Sequence, residues 1–112
     1  MGRLGAAALV AGAAVLAGCG QKPAAPAGRT ATIVVDQLAF GPAPEGLKVG
    51  DTVVWVNRDV LQHSATAGDK SFDVELPAGA SARTTLTKAG TINYVCRYHP
   101  GMTGVLRVEP KS

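Results

Sequence analysis

A chain of 112 residues with a net charge of +3 has room for one small domain and is too weakly basic to follow a phosphate backbone. No cluster of Lys and Arg is interleaved with aromatics, so nucleic-acid binding is excluded as a function class. Cys19 and Cys96 lie in segments of quite different character, and those surroundings decide their roles.

At the N-terminus, Arg3 precedes an Ala-rich apolar run from Leu4 to Leu16, which ends in Leu16-Ala17-Gly18-Cys19. A short positive region, an apolar stretch too brief to span a bilayer and small residues at its end predict an export signal over residues 1–18. A buried Ala-rich helix is the bland alternative. It is disfavoured because the run starts at Met1, has no polar face and is followed at once by a linker. The Leu-Ala-Gly-Cys ending resembles a bacterial lipobox. That resemblance implies that Cys19 is lipidated, with several acyl chains, and anchors the exported protein to a bacterial membrane in the periplasm or another extracytoplasmic space. More than one chain is what stable attachment takes.

Residues 19–29 follow as the lipidated Cys and a tether. From Gly20 to Arg29 no large apolar residue occurs, and Pro23 and Pro26 stiffen the segment in part. About ten such residues reach at most roughly 30–36 Å, which keeps the following domain near the membrane surface.

Strand signals fill residues 30–112. The segments Ala31 to Val35, Thr52 to Val56, Phe72 to Leu76, Arg83 to Thr87, Thr91 to Cys96 and Val105 to Val108 are short, rich in Val, Ile and Thr or alternately apolar, and separated by Gly, Pro, Asp and Asn. No amphipathic helix of useful length is predicted. The expected fold is all-β, an antiparallel sandwich or barrel. Phe72, Val74 and Leu76 should face inward and Asp73 and Glu75 outward, while Ile92, Tyr94 and Cys96 share an inner face. Trp55 is expected in the core and Arg97 as a solvated loop charge.

The chemistry concentrates in Cys96-Arg97-Tyr98-His99-Pro100-Gly101-Met102, where a thiolate, an imidazole and a thioether follow one another at three-residue intervals. Singly, each residue is better read as core or structure. Together, and with the upstream His63, they make the ligand list of a blue-copper site: His63, Cys96 and His99 as strong donors and Met102 as a weak axial one. Zinc prefers four strong ligands and gains little from a thioether. A nucleophilic Cys-His pair lacks an orienting partner and has little room for a substrate. With Cys19 assigned to processing and Cys96 to the metal, no disulfide is expected.

Gly46 to Val108 resembles a cupredoxin. The spacing of Cys96, His99 and Met102 is similar to the short ligand loop of the amicyanins within the amicyanin/plastocyanin-like group, and Gly50 to Asp59 with His63 to Ala67 resembles the strand and loop that deliver the first histidine. The resemblance implies a Greek-key β-sandwich with one type 1 copper that cycles between Cu(I) and Cu(II). It further implies a monomer that carries single electrons between a redox donor and acceptor, with the His99 ring edge as the electron port. A copper-binding or delivery protein using the same ligands is the alternative. Catalysis is not expected, because a second metal centre needs further histidines and the chain has only two. Two positions depart from the family. Ser64 stands where Asn is common, and Tyr98 where Pro is common.

Overall fold

Alternation of β-branched or aromatic residues with polar ones decides which strand faces turn inward. In the computed structural model, which describes residues 28–111, this produces nine strands and no helix among the described residues. They are β1 (Thr30–Asp36), β2 (Ala39–Phe40), β3 (Leu47–Lys48), β4 (Thr52–Asn57), β5 (His63–Ala67), β6 (Asp73–Leu76), β7 (Ser81–Thr85), β8 (Gly90–Val95) and β9 (Thr103–Glu109). The signal over residues 1–18, Cys19 and nearly all of the tether lie outside the described residues.

The strands form two sheets, β2-β1-β4-β7 and β3-β9-β8-β5-β6. The all-β sandwich matches the expectation, but the sheets are mixed rather than wholly antiparallel. Strand β1 runs parallel to β4, and β3 parallel to β9. Parallel neighbours need a long crossover. Residues 37–51 supply it by turning back as β2 on the edge of the first sheet, adding β3 to the edge of the second and returning to the first as β4.

Ile33 and Val35 of β1, Val53 and Trp55 of β4, Ile92 and Tyr94 of β8 and Leu106 and Val108 of β9 fill the space between the sheets. Each fully buried aliphatic side chain stabilises the fold by roughly 1.5–3 kcal/mol. The sandwich therefore has an apolar core that does not depend on a metal. Trp55 sits 5.1 Å from Tyr94, ring centre to ring centre, and 5.6 Å from Phe72, while its Nε1–H donates to Thr84 Oγ1. Burial pushes the Tyr94 phenol up to about 12. Tyr94 also explains a glycine. Gly104 is its partner across β8 and β9, and a Cβ there would run into the phenol ring.

The segment read from sequence as a loop, His63 to Ala67, is the almost wholly buried strand β5. It lies between β6 and β8. Its Ser, Ala and Thr residues give no strong strand signal, yet they fit a crowded position between two neighbours.

Candidate metal centre

Two pieces of chain converge at one end of the second sheet. Strand β5 brings His63, and the loop that follows β8 brings Cys96, His99 and Met102. Pairing of Thr66 with Val95 places the start of β5 beside the loop, because the two strands run antiparallel.

The loop closes on itself through backbone hydrogen bonds. The His99 N–H donates to the Cys96 carbonyl, the Met102 N–H to the His99 carbonyl at 2.8 Å, and the Cys96 N–H to the Met102 carbonyl at 3.1 Å. Each gap of two residues is thus one tight turn. That is why Cys96, His99 and Met102 at this spacing stay together on one short, closed loop.

His63, Cys96 and His99 present ligand atoms that all lie within 4.8 Å of one another. Cys96 Sγ is 3.6 Å from His63 Nδ1 and 3.8 Å from His99 Nδ1. With bonds of ~2.0 Å to nitrogen and ~2.3 Å to sulfur, as zinc makes, a trigonal plane separates N from S by about 3.7 Å. The donor positions therefore fit one first-row metal ion. Met102 is buried at the end of the same loop, 4% exposed, and His63 and Cys96 are fully enclosed. His99 alone among these four is half-buried.

Neighbouring groups fix these donors. The His63 Nε2 lies 2.7 Å from Asp59 Oδ2, which leaves Nδ1 directed at Cys96. Asp59 also accepts the N–H groups of Gln37 and Leu38, two non-glycine residues with positive φ. The Leu38 N–H first, and then the His63 ring, hold the Asp59 carboxyl below its ordinary value. Buried Asn57 arranges the intervening loop. Its Nδ2 donates to the carbonyls of Leu61, Leu76 and Pro77, and its Oδ1 accepts the Asp59 N–H. Neither residue emerged from the sequence reading. The available signal was an acidic residue four positions before a candidate ligand.

Ser64 ties the two ligand segments together in the place where the family commonly has Asn. Its N–H points at Cys96 Sγ at 3.4 Å, and its Oγ accepts the Arg97 N–H at 2.8 Å. Arg97 is not merely a solvated charge. Its guanidinium pairs with Asp73 at 2.7 Å and Glu75 at 2.6 Å. The Arg97 contact, followed by the Thr66 hydroxyl, keeps the Asp73 carboxyl below its usual range.

A mixed β-sandwich with one Cys, two His and a buried Met gathered at the end of a sheet is the architecture of a cupredoxin. No protein-family model matches the chain. Curated relatives do. The amicyanin of Paracoccus denitrificans is 34% identical over 69% of this chain and 65% of its own length, just under two thirds. The amicyanin of Paracoccus versutus is 32% identical over 80% of this chain and 74% of its own length. Among solved structures, an amicyanin variant in its Cu(I) form superposes with a TM-score of 0.63, at 27% identity over 71% of this chain and 82% of the other. A copper-containing nitrite reductase from Thermus scotoductus has a TM-score of 0.64 and is 31% identical over 83% of this chain, but only 25% of the reductase is covered. The chain belongs to the amicyanin group of the cupredoxins.

Proposed function

We infer that this chain is a one-electron carrier with a single type 1 copper, which His63, Cys96 and His99 would hold as strong donors, with Met102 as a weak fourth. The observation that carries this reading is Cys96 Sγ lying at 3.6 and 3.8 Å from the Nδ1 atoms of two histidines. Copper bound there supplies a Cu(II)/Cu(I) couple, for which soft sulfur and imidazole donors suit both states.

The residues around the site then have defined tasks. Cys96 offers its sulfur as thiolate in an enclosed position, where the Ser64 N–H tempers its charge. Asp59 fixes the tautomer and orientation of His63. The buried Met102 would offer its thioether as the weak fourth donor. His99 reaches the surface, so its ring edge is the shortest way in for an electron from a redox partner. Both histidines of the chain are used, which leaves none for a second, catalytic metal centre.

The visible and paramagnetic-resonance spectra of the copper-loaded protein test this reading. An intense thiolate-to-copper band in the wild type, lost in Cys96→Ser while the fold survives on its apolar core, is expected. A band that persists in Cys96→Ser would sink the assignment.

We also propose that the protein is exported and works as a monomer on the outer side of a bacterial membrane, tied to it by lipid on Cys19 through the tether of residues 19–29. The lipobox-like Leu16-Ala17-Gly18-Cys19 supports this. Mass spectrometry of the mature chain should find a lipidated N-terminal Cys19, and Cys19→Ala should leave the product unprocessed or free in solution. An unmodified N-terminus beyond Cys19 would reject the anchor.

A further inference from the structure

Between Cys96 and His99 the chain carries Arg97 and Tyr98, and both reach across to strand β6. Arg97 Nη1 donates to Asp73 Oδ1 at 2.7 Å, and Nη2 to the two Glu75 oxygens at 2.6 and 2.9 Å. The Tyr98 hydroxyl donates to the same carboxylate, 2.7 Å from each oxygen. The guanidinium lies 5.5 Å from the centre of the Tyr98 ring. Asp73 and Glu75 are two residues apart on the outward face of β6, so one strand presents both carboxylates to the loop.

The placement of β6 gives this surface network a route to the metal donors. Glu75 stands opposite Ser64 in the register of β5 and β6, and His63 opposite Leu76. Ser64 in turn touches Cys96 Sγ and holds the Arg97 N–H. Its Oγ also meets Thr66 Oγ1, which donates to Asp73. Arg97 is therefore held by its backbone from β5 and by its side chain from Thr66 of β5 and both carboxylates of β6, while the Tyr98 hydroxyl is held from β6.

We propose that Glu75 is a positioning residue of the metal centre. Through Tyr98 and Arg97 it holds the segment between Cys96 and His99 against the β5–β6 hairpin, and so helps set the reduction potential. The proposal rests on the copper reading above.

Isolated exposed ion pairs contribute only about 0–1 kcal/mol and are weakened by salt. Here one carboxylate engages two successive loop residues with charge-assisted bonds, and the loop joins two donors to a hairpin that carries a third. A modest restraint at that point acts on donor geometry more than on global stability. Copper(I) accepts lower coordination than Cu(II), so freeing the loop favours the reduced state and raises the potential.

The test compares the wild type with Glu75→Gln, Tyr98→Phe and their double variant, and takes Glu109→Gln, in β9 on the other side of the same sheet, as a control. In the metal-free proteins, amide exchange at Arg97 through His99 should speed up severalfold in each single variant, with β4 and β8 unchanged. In the copper-loaded proteins the potential should rise and the copper hyperfine coupling should change. The double variant should go little further than either single one, because both remove the same tie. Folded variants with wild-type exchange and potential would overturn the proposal. So would faster exchange at an unchanged potential, or an equal shift in Glu109→Gln. Absence of the thiolate band from the wild-type protein defeats the copper reading, and the proposal with it, whatever the variants do.

Discussion

Asp59 and His63 are joined by a contact of 2.7 Å that binds the outer nitrogen of a fully buried imidazole to a carboxylate anchored on the β1–β2 turn. The geometry makes the turn, the carboxylate and the ligand one unit. Positive φ at Gln37 and Leu38 costs backbone energy, and Asp59 offsets it by accepting both N–H groups.

An anion behind a ligating imidazole raises the basicity of the ligand and favours the more highly charged metal state. Asp59→Asn keeps the shape and removes the charge. The reduction potential should therefore rise, with copper retained and the blue colour preserved. Voltammetry of the variant decides the matter, and an unchanged or lower potential would remove Asp59 from the electronics of the site.

Asn57 carries a different load. Its amide serves three carbonyls from Leu61, Leu76 and Pro77, all in or beside the loop that feeds His63 into β5. Replacing it by Ala leaves buried acceptors without donors, at a cost of about 2–3 kcal/mol. Urea unfolding of the metal-free Asn57→Ala protein should show a lower midpoint at the same slope. A change below ~0.5 kcal/mol would mean that water replaces the amide with little loss.

Strands whose apolar residues alternate were legible, as in Phe72-Asp73-Val74-Glu75-Leu76, where Phe72 and Leu76 are buried and the acids are exposed. The ligand spacing was legible because two tight turns leave few other ways to arrange Cys96, His99 and Met102. What pattern could not reveal was partnership across the fold. Strand β5 is built from small residues whose burial comes from β6 and β8, not from their own hydrophobicity. The two-residue strands β2 and β3 are too short to show a period. Arg97 looked solvated because its partners Asp73 and Glu75 are more than twenty residues upstream. Parallel pairing of β1 with β4 likewise depends on a crossover that no local signal encodes.

The Asp73 carboxyl, held low by Arg97 and then by Thr66, gives the fold a dependence on acid. A depressed folded-state value means stabilisation that is present at neutral pH, above the unfolded value of ~3.9, and lost as pH falls through the folded value. Midpoints of urea unfolding should drop between neutral pH and about pH 3, and Asp73→Asn should shrink that drop. An acid response identical to the wild type would show that Arg97 gives Asp73 no net stabilisation.

Met102 closes the ligand loop through its backbone, accepting the Cys96 N–H and donating to the His99 carbonyl, so its turn geometry does not depend on its side chain. Leu has nearly the same volume. Met102→Leu should therefore fold with a loss below about 1.5 kcal/mol and keep the three in-plane donors where they are. What disappears is the thioether. Because a weak axial donor stabilises Cu(II) more than Cu(I), its removal should raise the reduction potential while copper and the blue band remain. Voltammetry and the visible spectrum of one preparation check both halves. A lower potential would contradict the axial role, and loss of copper from a folded variant would mean that Met102 is a principal donor and that the three-ligand plane does not hold the ion alone.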